Sequence, residues 1–366
     1  MRREKRFLVG VLVSVGWGLS VTAQPRWDFG TEIFNADDVM LWQAEGRWSW
    51  EANEQGLAGE VSFASNHFTM DYEPVAFDFR GISRRLSANS EALQGNVRWR
   101  RREDFEWIGN MGAYQGFTNF RSVWLAEYFA QQFEPIGQTA LDRWEEPDPR
   151  GINGGMGARW EYVPGTAFLE VVATALRDEI APGYEIDFEG LRQGRVKLDG
   201  FGVTASTENV LNRRMRSRVE VSGTRVSERE VRWGANAALN VAGGETGVLR
   251  LRTGVSQEDP QFEAWFGEAT WDWALSDAWA VFAQGRYYAD NGEIENALLF
   301  TSAAPGLKSR QWNAGVRWRG ENSVVRLQVG RLRSNYEPTN PSTDFFQNLY
   351  SDRNWTVFQL SFSRPL

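Results

Sequence analysis

The chain has 366 residues and a formal net charge of −8; 42% are hydrophobic, with 18 tryptophans, one histidine and no cysteine. Without cysteine there is no disulfide framework and no thiolate metal site, and a single histidine excludes a histidine-clustered zinc centre. Beyond the first 23 residues no segment approaches the roughly 18 consecutive apolar residues of a membrane-spanning helix.

Arg2-Arg3-Glu4-Lys5-Arg6 is a basic start, Phe7 to Leu19 an apolar run, and Val21-Thr22-Ala23 a set of small residues before Gln24. This is the plan of a secretory signal peptide cleaved after Ala23. The remaining span, 24–366, is 343 residues with net charge −11 and reads as one domain.

From there the chain alternates. Trp27, Phe29, Thr31 and Ile33 oppose Asp28, Gly30, Glu32 and Phe34 in a first strand, and Asn35 to Asp38 is a short loop. Trp42, Ala44, Gly46, Trp48 and Trp50 oppose Gln43, Glu45, Arg47, Ser49 and Glu51. Asn53 to Gly56 turns the chain into Leu57, Gly59, Val61 and Phe63, and 70–88 reads as a longer loop. Leu93 to Trp99 and Trp107 to Ala113 flank the turn Arg102-Glu103-Asp104. Residues 117–151 are the longest connection; Trp124, Leu125, Tyr128, Phe129 and Phe133 within it have helical spacing.

Met156 to Tyr162 and Leu169 to Ala175 flank Val163-Pro164-Gly165-Thr166, and Ala181-Pro182-Gly183 is expected to open another loop. The strand near 195–207 has broken parity, which a bulge would explain. Strands follow at 214–221, 233–239 and 249–255. The clearest hairpin runs from Phe262 to Tyr288: Trp265, Gly267, Ala269, Trp271 and Trp273, then Trp279, Val281, Ala283, Gly285 and Tyr287, share one parity. Three more strands centre on Trp312 to Trp318, Val325 to Val329 and Phe358 to Phe362.

Successive side chains of a strand point to opposite faces, so each strand has an apolar or aromatic face and a polar, charged one. Tryptophans cluster beside the turns and small residues fill the apolar middle, as in a membrane-spanning hairpin whose polar face lines a lumen. The fold class is therefore all-β: a single antiparallel transmembrane β-barrel of about 16 strands, 14 being the competing count. Short turns mark the periplasmic rim and longer loops the outside. Trp48, Trp50, Trp99, Trp107, Trp160, Tyr162, Trp271, Trp273, Trp279 and Trp318 all sit beside short turns and form one interfacial girdle.

Arginine precedes tryptophan at Arg47-Trp48, Arg98-Trp99, Arg159-Trp160, Arg232-Trp233 and Arg317-Trp318, so the cation faces inward where the ring faces lipid. Arg100, Arg214, Arg216, Arg218, Arg250, Arg252, Arg286, Arg319 and Arg326 join that inner set. Fewer acids are expected inside (Glu45, Glu60, Glu161, Glu170, Glu220, Glu268 and Asp272), so the lumen wall is expected to be basic. Such a wall attracts anionic solutes; inward charges that merely pair across strands are the structural alternative.

Sixteen strands, an acidic cysteine-free chain and a dominant loop after strand five resemble the general porins in architecture, with no specific motif. The resemblance implies that 117–151 folds into the barrel and that Asp142, Glu145, Glu146 and Asp148 face the basic wall at a constriction. A homotrimer is compatible with it. The alternation of Phe358, Leu360 and Phe362 resembles the C-terminal signal read by the barrel-assembly machinery.

Ser65 and His67 share the outward parity, and outer-membrane phospholipases use a Ser–His pair at the lipid face. A lone polar residue at a strand end is far more often interfacial, and the chain is not expected to be an enzyme. No cofactor and no metal are implied, calcium at the loop acids being left open. The expectation is a passive channel for small hydrophilic, anionic solutes in the outer membrane of a diderm bacterium. Its partners would be outer-membrane lipid and lipopolysaccharide, and no nucleic acid. A non-conducting structural or adhesion barrel acting through its outer loops is the alternative. A gated transporter would need a plug, for which about 16 residues before the second strand leave little room.

Overall fold

The computed structural model describes residues 25–53, 55–72, 84–116, 149–187, 190–227, 230–259, 262–292, 306–337 and 352–365, and within these the side chains of all but 72, 84, 86 and 180–196. In chain order the strands are β1 (Arg26–Ala36), β2 (Val39–Trp50), β3 (Leu57–Tyr72), β4 (Arg84–Arg102), β5 (Phe105–Gly116), β6 (Arg150–Val163), β7 (Ala167–Asp187) and β8 (Gly190–Asn212). Then come β9 (Met215–Val226), β10 (Arg232–Gly243), β11 (Gly247–Glu258), β12 (Phe262–Ala274), β13 (Trp279–Asp290), β14 (Gly306–Arg319), β15 (Val324–Glu337) and β16 (Arg353–Pro365). Each pairs antiparallel with its sequence neighbours and β1 pairs with β16, so the sheet is a closed barrel of the 16 expected strands.

Register follows the alternation. In the β12–β13 hairpin Trp265, Gly267, Ala269, Trp271 and Trp273 stand opposite Ala289, Tyr287, Gly285, Ala283 and Val281, while Glu268 stands opposite Arg286 and Thr270 opposite Gln284. A one-residue slip would exchange the two faces, so the pattern specifies the pairing. Burial is inverted relative to a soluble protein. Large hydrophobics such as Trp107 (49%) and Trp273 (52%) are exposed on the outward parity, whereas Glu106, Glu258, Asp272, Asn313 and Gln328 are buried on the inward one. A continuous exposed apolar belt is stable only against lipid. Sixteen strands about 4.8 Å apart and tilted about 40° close a ring about 30 Å across between backbones, wide enough for an aqueous lumen.

The short rim carries the turns 51–56, 103–104, 164–166, 213–214, 244–246, 275–278 and 320–323. Gly56, Gly165 and Gly244 adopt positive φ there (76°, 71° and 88°), a region that L side chains rarely enter. The opposite rim is less uniform than expected: two residues join β1 to β2, and the connections after β9 and β11 are also short.

Three expectations are corrected. The segment 70–88 is not all loop, because β3 and β4 pair out to Tyr72 and Arg84. Ala181-Pro182-Gly183 does not open a loop: β7 continues to Asp187, with a register shift between Ile180 and Gly183. Proline has no N–H to give the ladder, and Pro182 sits at that irregularity. The strand near 195–207 is not broken, since β8 pairs without a shift from Val196 to Asn209, and Phe201, Val203 and Ala205 face out. Its polar Thr207 and Asn209 obscure the parity near the turn, where both take hydrogen-bonding contacts with the Tyr162 hydroxyl. β7 pairs with β6 only as far as Glu179, and β8 pairs with β9 only from Gly200 on. Between those points the two strands pair with each other and with neither β6 nor β9.

Candidate functional site on the inner wall

Strand alternation alone puts the arginines inside. In each Arg-Trp pair the tryptophan aligns with outward residues, as Trp48 with Trp27 and Val61, and the arginine with inward ones, as Arg47 with Asp28 and Ser62. Arg98, Arg100, Arg216, Arg218, Arg250, Arg252, Arg286, Arg317 and Arg319 all take inward positions by register. Arg214 precedes β9 and has no register partner. It lies in the turn 213–214, where its backbone N–H donates to Asn212 Oδ1 at 2.8 Å. The loop acids Asp142, Glu145, Glu146 and Asp148 lie outside the described residues, as does the helical spacing within 117–148.

Many inner arginines are held by acids. Arg100 bonds Glu106, Arg216 bonds Glu208, and Arg218 meets Glu220 at 2.9 Å. Asp272, buried on β12, bridges two arginines, Arg250 of β11 at 2.6 Å and Arg317 of β14 at 3.4 Å. On β15, opposite Arg317, the Arg326 guanidinium lies 3.9 Å from the Phe282 ring centre and donates to Gln328 Oε1 at 3.1 Å. Gln328 continues through Gln359 to Glu32, which ties β15, β16 and β1 together across the closure. Arg232 meets Glu258 at 2.8 Å and stacks over Phe262. Among the described residues Arg47, Arg98, Arg252, Arg286 and Arg319 have no carboxylate partner.

Among the described residues the wall as a whole is not basic. The expectation missed Asp28, Glu32, Glu106, Asp178, Glu208, Glu258 and Asp290, all inward by register. With them the inner carboxylates on the described strands are about as numerous as the arginines. The charges are instead divided by sector. From β9 to β15 arginines outnumber acids; from β16 round through β8 acids outnumber arginines. Parity carried to the strand ends would have found Glu106, Glu258 and Asp290, whereas the supposed bulge in β8 hid Glu208. On the described strands the balance of formal charge therefore differs in sign between the two sectors.

The inner surface also has an apolar zone. Ala36, Val39, Phe68, Met70 and Val357 are adjacent through β16-β1-β2-β3 pairing at the outer end and are all buried.

On the outer face the girdle residues stand beside the short turns as expected, and Trp48 stacks on Trp27 with ring centres 6.0 Å apart. Trp50 differs: it is 5% exposed, folded over Gly59. A second aromatic level went unread at the other rim, formed by Trp42, Trp233, Trp265, Tyr287 and Trp312. Trp273 and Trp265 lie eight residues apart on one face, about 20 Å along the barrel axis at about 3.3 Å per residue and about 40° tilt, close to the height of the apolar band. His67 faces outward at the upper level, with Nδ1 2.7 Å from Asn89 Oδ1. Ser65 stands opposite Ala44 and Glu91, and no hydrogen bond joins it to His67.

Neither a protein-family model nor a curated protein matches the chain. Likeness to solved structures is long in coverage and slight in sequence. CdiB from Acinetobacter baumannii aligns with a TM-score of 0.57 at 8% identity, over 93% of this chain and 60% of that one. CdiB from Escherichia coli gives 0.55 at 10%, over 93% and 63%. OccK3 (OpdO) from Pseudomonas aeruginosa gives 0.47 at 9%, over 94% and 96%. The chain thus spans about three fifths of the CdiB chains it matches, and at these identities the likeness is one of fold. The fold is an outer-membrane β-barrel.

Proposed function

We propose that the barrel is a passive channel for small hydrophilic solutes, and that anionic solutes follow the arginine sector of β9–β15. The observation that carries this reading is the division of inner charge, with Arg252 and Arg286, on either side of Glu268 in the basic sector, ion-paired to no carboxylate among the described residues. A solute bearing a negative group lowers its energy on that side, and a solute of mixed charge is oriented between the two sectors. The reading assigns no hydrolytic step to His67, whose Nδ1 is engaged by Asn89 and which has no hydrogen bond to Ser65.

The test is single-channel recording in planar bilayers with reversal potentials across a salt gradient. Ohmic steps with anion preference are expected, and Arg252→Gln with Arg286→Gln moves the reversal potential toward cation preference while leaving every ion pair among the described residues in place. A second reading is favoured by the buried apolar zone of Ala36, Val39, Phe68, Met70 and Val357: a non-conducting barrel that acts through its outer loops. A folded, inserted barrel that gives no steps would decide for it.

A further inference from the structure

We propose that the lipid-facing surface of β13–β15 binds a phosphorylated lipid of the outer leaflet. Arg310, Arg331 and Arg333 take the headgroup phosphate, and the groove beside Trp312 takes an acyl chain. Register places these three arginines outside the barrel. Arg310 stands opposite Arg333 and Trp312 opposite Arg331, on the parity of Val316 and Leu327. All three are exposed.

Their charge is uncompensated. Like charges directly opposite on neighbouring strands destabilise a sheet, yet among the described residues no carboxylate reaches any of the three. Other outward cations near this rim do have acids: Arg150 meets Glu179 at 2.9 Å, Arg177 meets Asp199 at 2.6 Å, and Lys308, next to the cluster, bonds Glu337. An anion from the surrounding membrane would relieve the repulsion between Arg310 and Arg333.

Their height says from where. Arg331 is level with Trp312, which is 68% exposed in the upper aromatic band, and Arg310 and Arg333 lie one outward step further from the short rim. That is the headgroup layer, beyond the apolar belt. Three guanidiniums suit a phosphomonoester, which carries about −1.5 to −2 charge and takes forked hydrogen bonds, better than a single carboxylate.

The groove is a separate observation. A cavity of about 860 Å³ opens on the outer face and runs from Arg310 and Trp312 across β13, β12, β11 and β10 to β9. Its floor is cut low by Ala237, Gly267, Ala269 and Gly285, and its size falls within the roughly 300–1,000 Å³ of ligand sites. Arg310 is drawn to its mouth, with the guanidinium 5.7 Å from the Tyr287 ring centre. A cationic mouth on an apolar groove at the membrane interface fits a molecule with an anionic head and a hydrocarbon tail. The site depends on the outer-membrane fold and not on conductance, so it stands or falls separately from the channel reading.

The experiment is native mass spectrometry of the full-length barrel in detergent. The probes are a bis-phosphorylated, acylated glucosamine disaccharide, its fully dephosphorylated form, and inorganic phosphate. One bis-phosphorylated lipid per barrel is expected to be retained. Arg310→Gln, Arg331→Gln and Arg333→Gln together should weaken retention by on the order of a hundredfold. Ala269→Leu, which fills the groove and leaves the arginines in place, should weaken it as well. Heat-modifiable gel migration confirms that each variant is folded. Equal retention by the triple variant, or equal binding of the dephosphorylated lipid, would overturn the phosphate site. Displacement by millimolar inorganic phosphate, or no effect of Ala269→Leu, would overturn the assignment to a lipid.

Discussion

Asp272 serves two arginines from different strands while buried between them. Its amide analogue would keep the shape and lose the charge, leaving Arg250 and Arg317 facing each other on the lumen wall. Because both arginines are partly exposed to lumen water, the expected cost of Asp272→Asn is only about 2 kcal/mol, read as a lower urea midpoint for unfolding from lipid vesicles. Gly56 is constrained by backbone instead. With φ at 76° and the Arg100 carbonyl oxygen where a β-carbon would have to stand, a methyl group has no room. Gly56→Ala should destabilise by about 1 kcal/mol or more in the same assay. At this scale the sequence was legible in part. Parity placed nearly every arginine, because the Arg-Trp pairs mark both faces at once. It undercounted acids, because Glu106 and Asp290 lie at strand ends, outside the runs from which parity is easily read. Pairing between residues far apart in the chain, such as Arg317 with Asp272, has no local signal.

The β12–β13 hairpin was readable almost residue for residue because its aromatic and polar faces never exchange. β7 and β8 were not, because Pro182-Gly183 is a strong turn signal and the sheet absorbs it as an irregularity. The ribbon these strands form beyond Glu179 and Gly200 contributes nothing to the pairing with β6 or β9. Replacing 181–196 with a two-residue turn should therefore leave assembly intact: gel mobility before and after boiling should match the parent barrel. A failure to insert would mean that the ribbon takes part in folding.

For the whole molecule, strand number and rim polarity followed from turns and aromatics, whereas the distribution of charge around the lumen did not. The sectors appear only when sixteen inward faces are placed in a circle, and no window of sequence contains that circle. The closure itself has a further consequence. β16 is hydrogen-bonded to β15 on one side and to β1 on the other, from Asp28 with Pro365 to Ala36 with Val357. The first and last strands are thus each other's neighbours, and the final ladder joins residues more than 300 positions apart. Ordering of that seam cannot proceed gradually from either end, since the loop-closure entropy falls on one late step. Stopping the chain before Arg353 would remove more than one strand's share of stability. It would replace a ring without edges by a sheet with two, each with unpaired amides facing hydrocarbon. Such a chain should aggregate rather than form a smaller barrel, visible as loss of the compact, boiling-sensitive gel band. The barrel is therefore a cooperative unit whose integrity is decided at one seam.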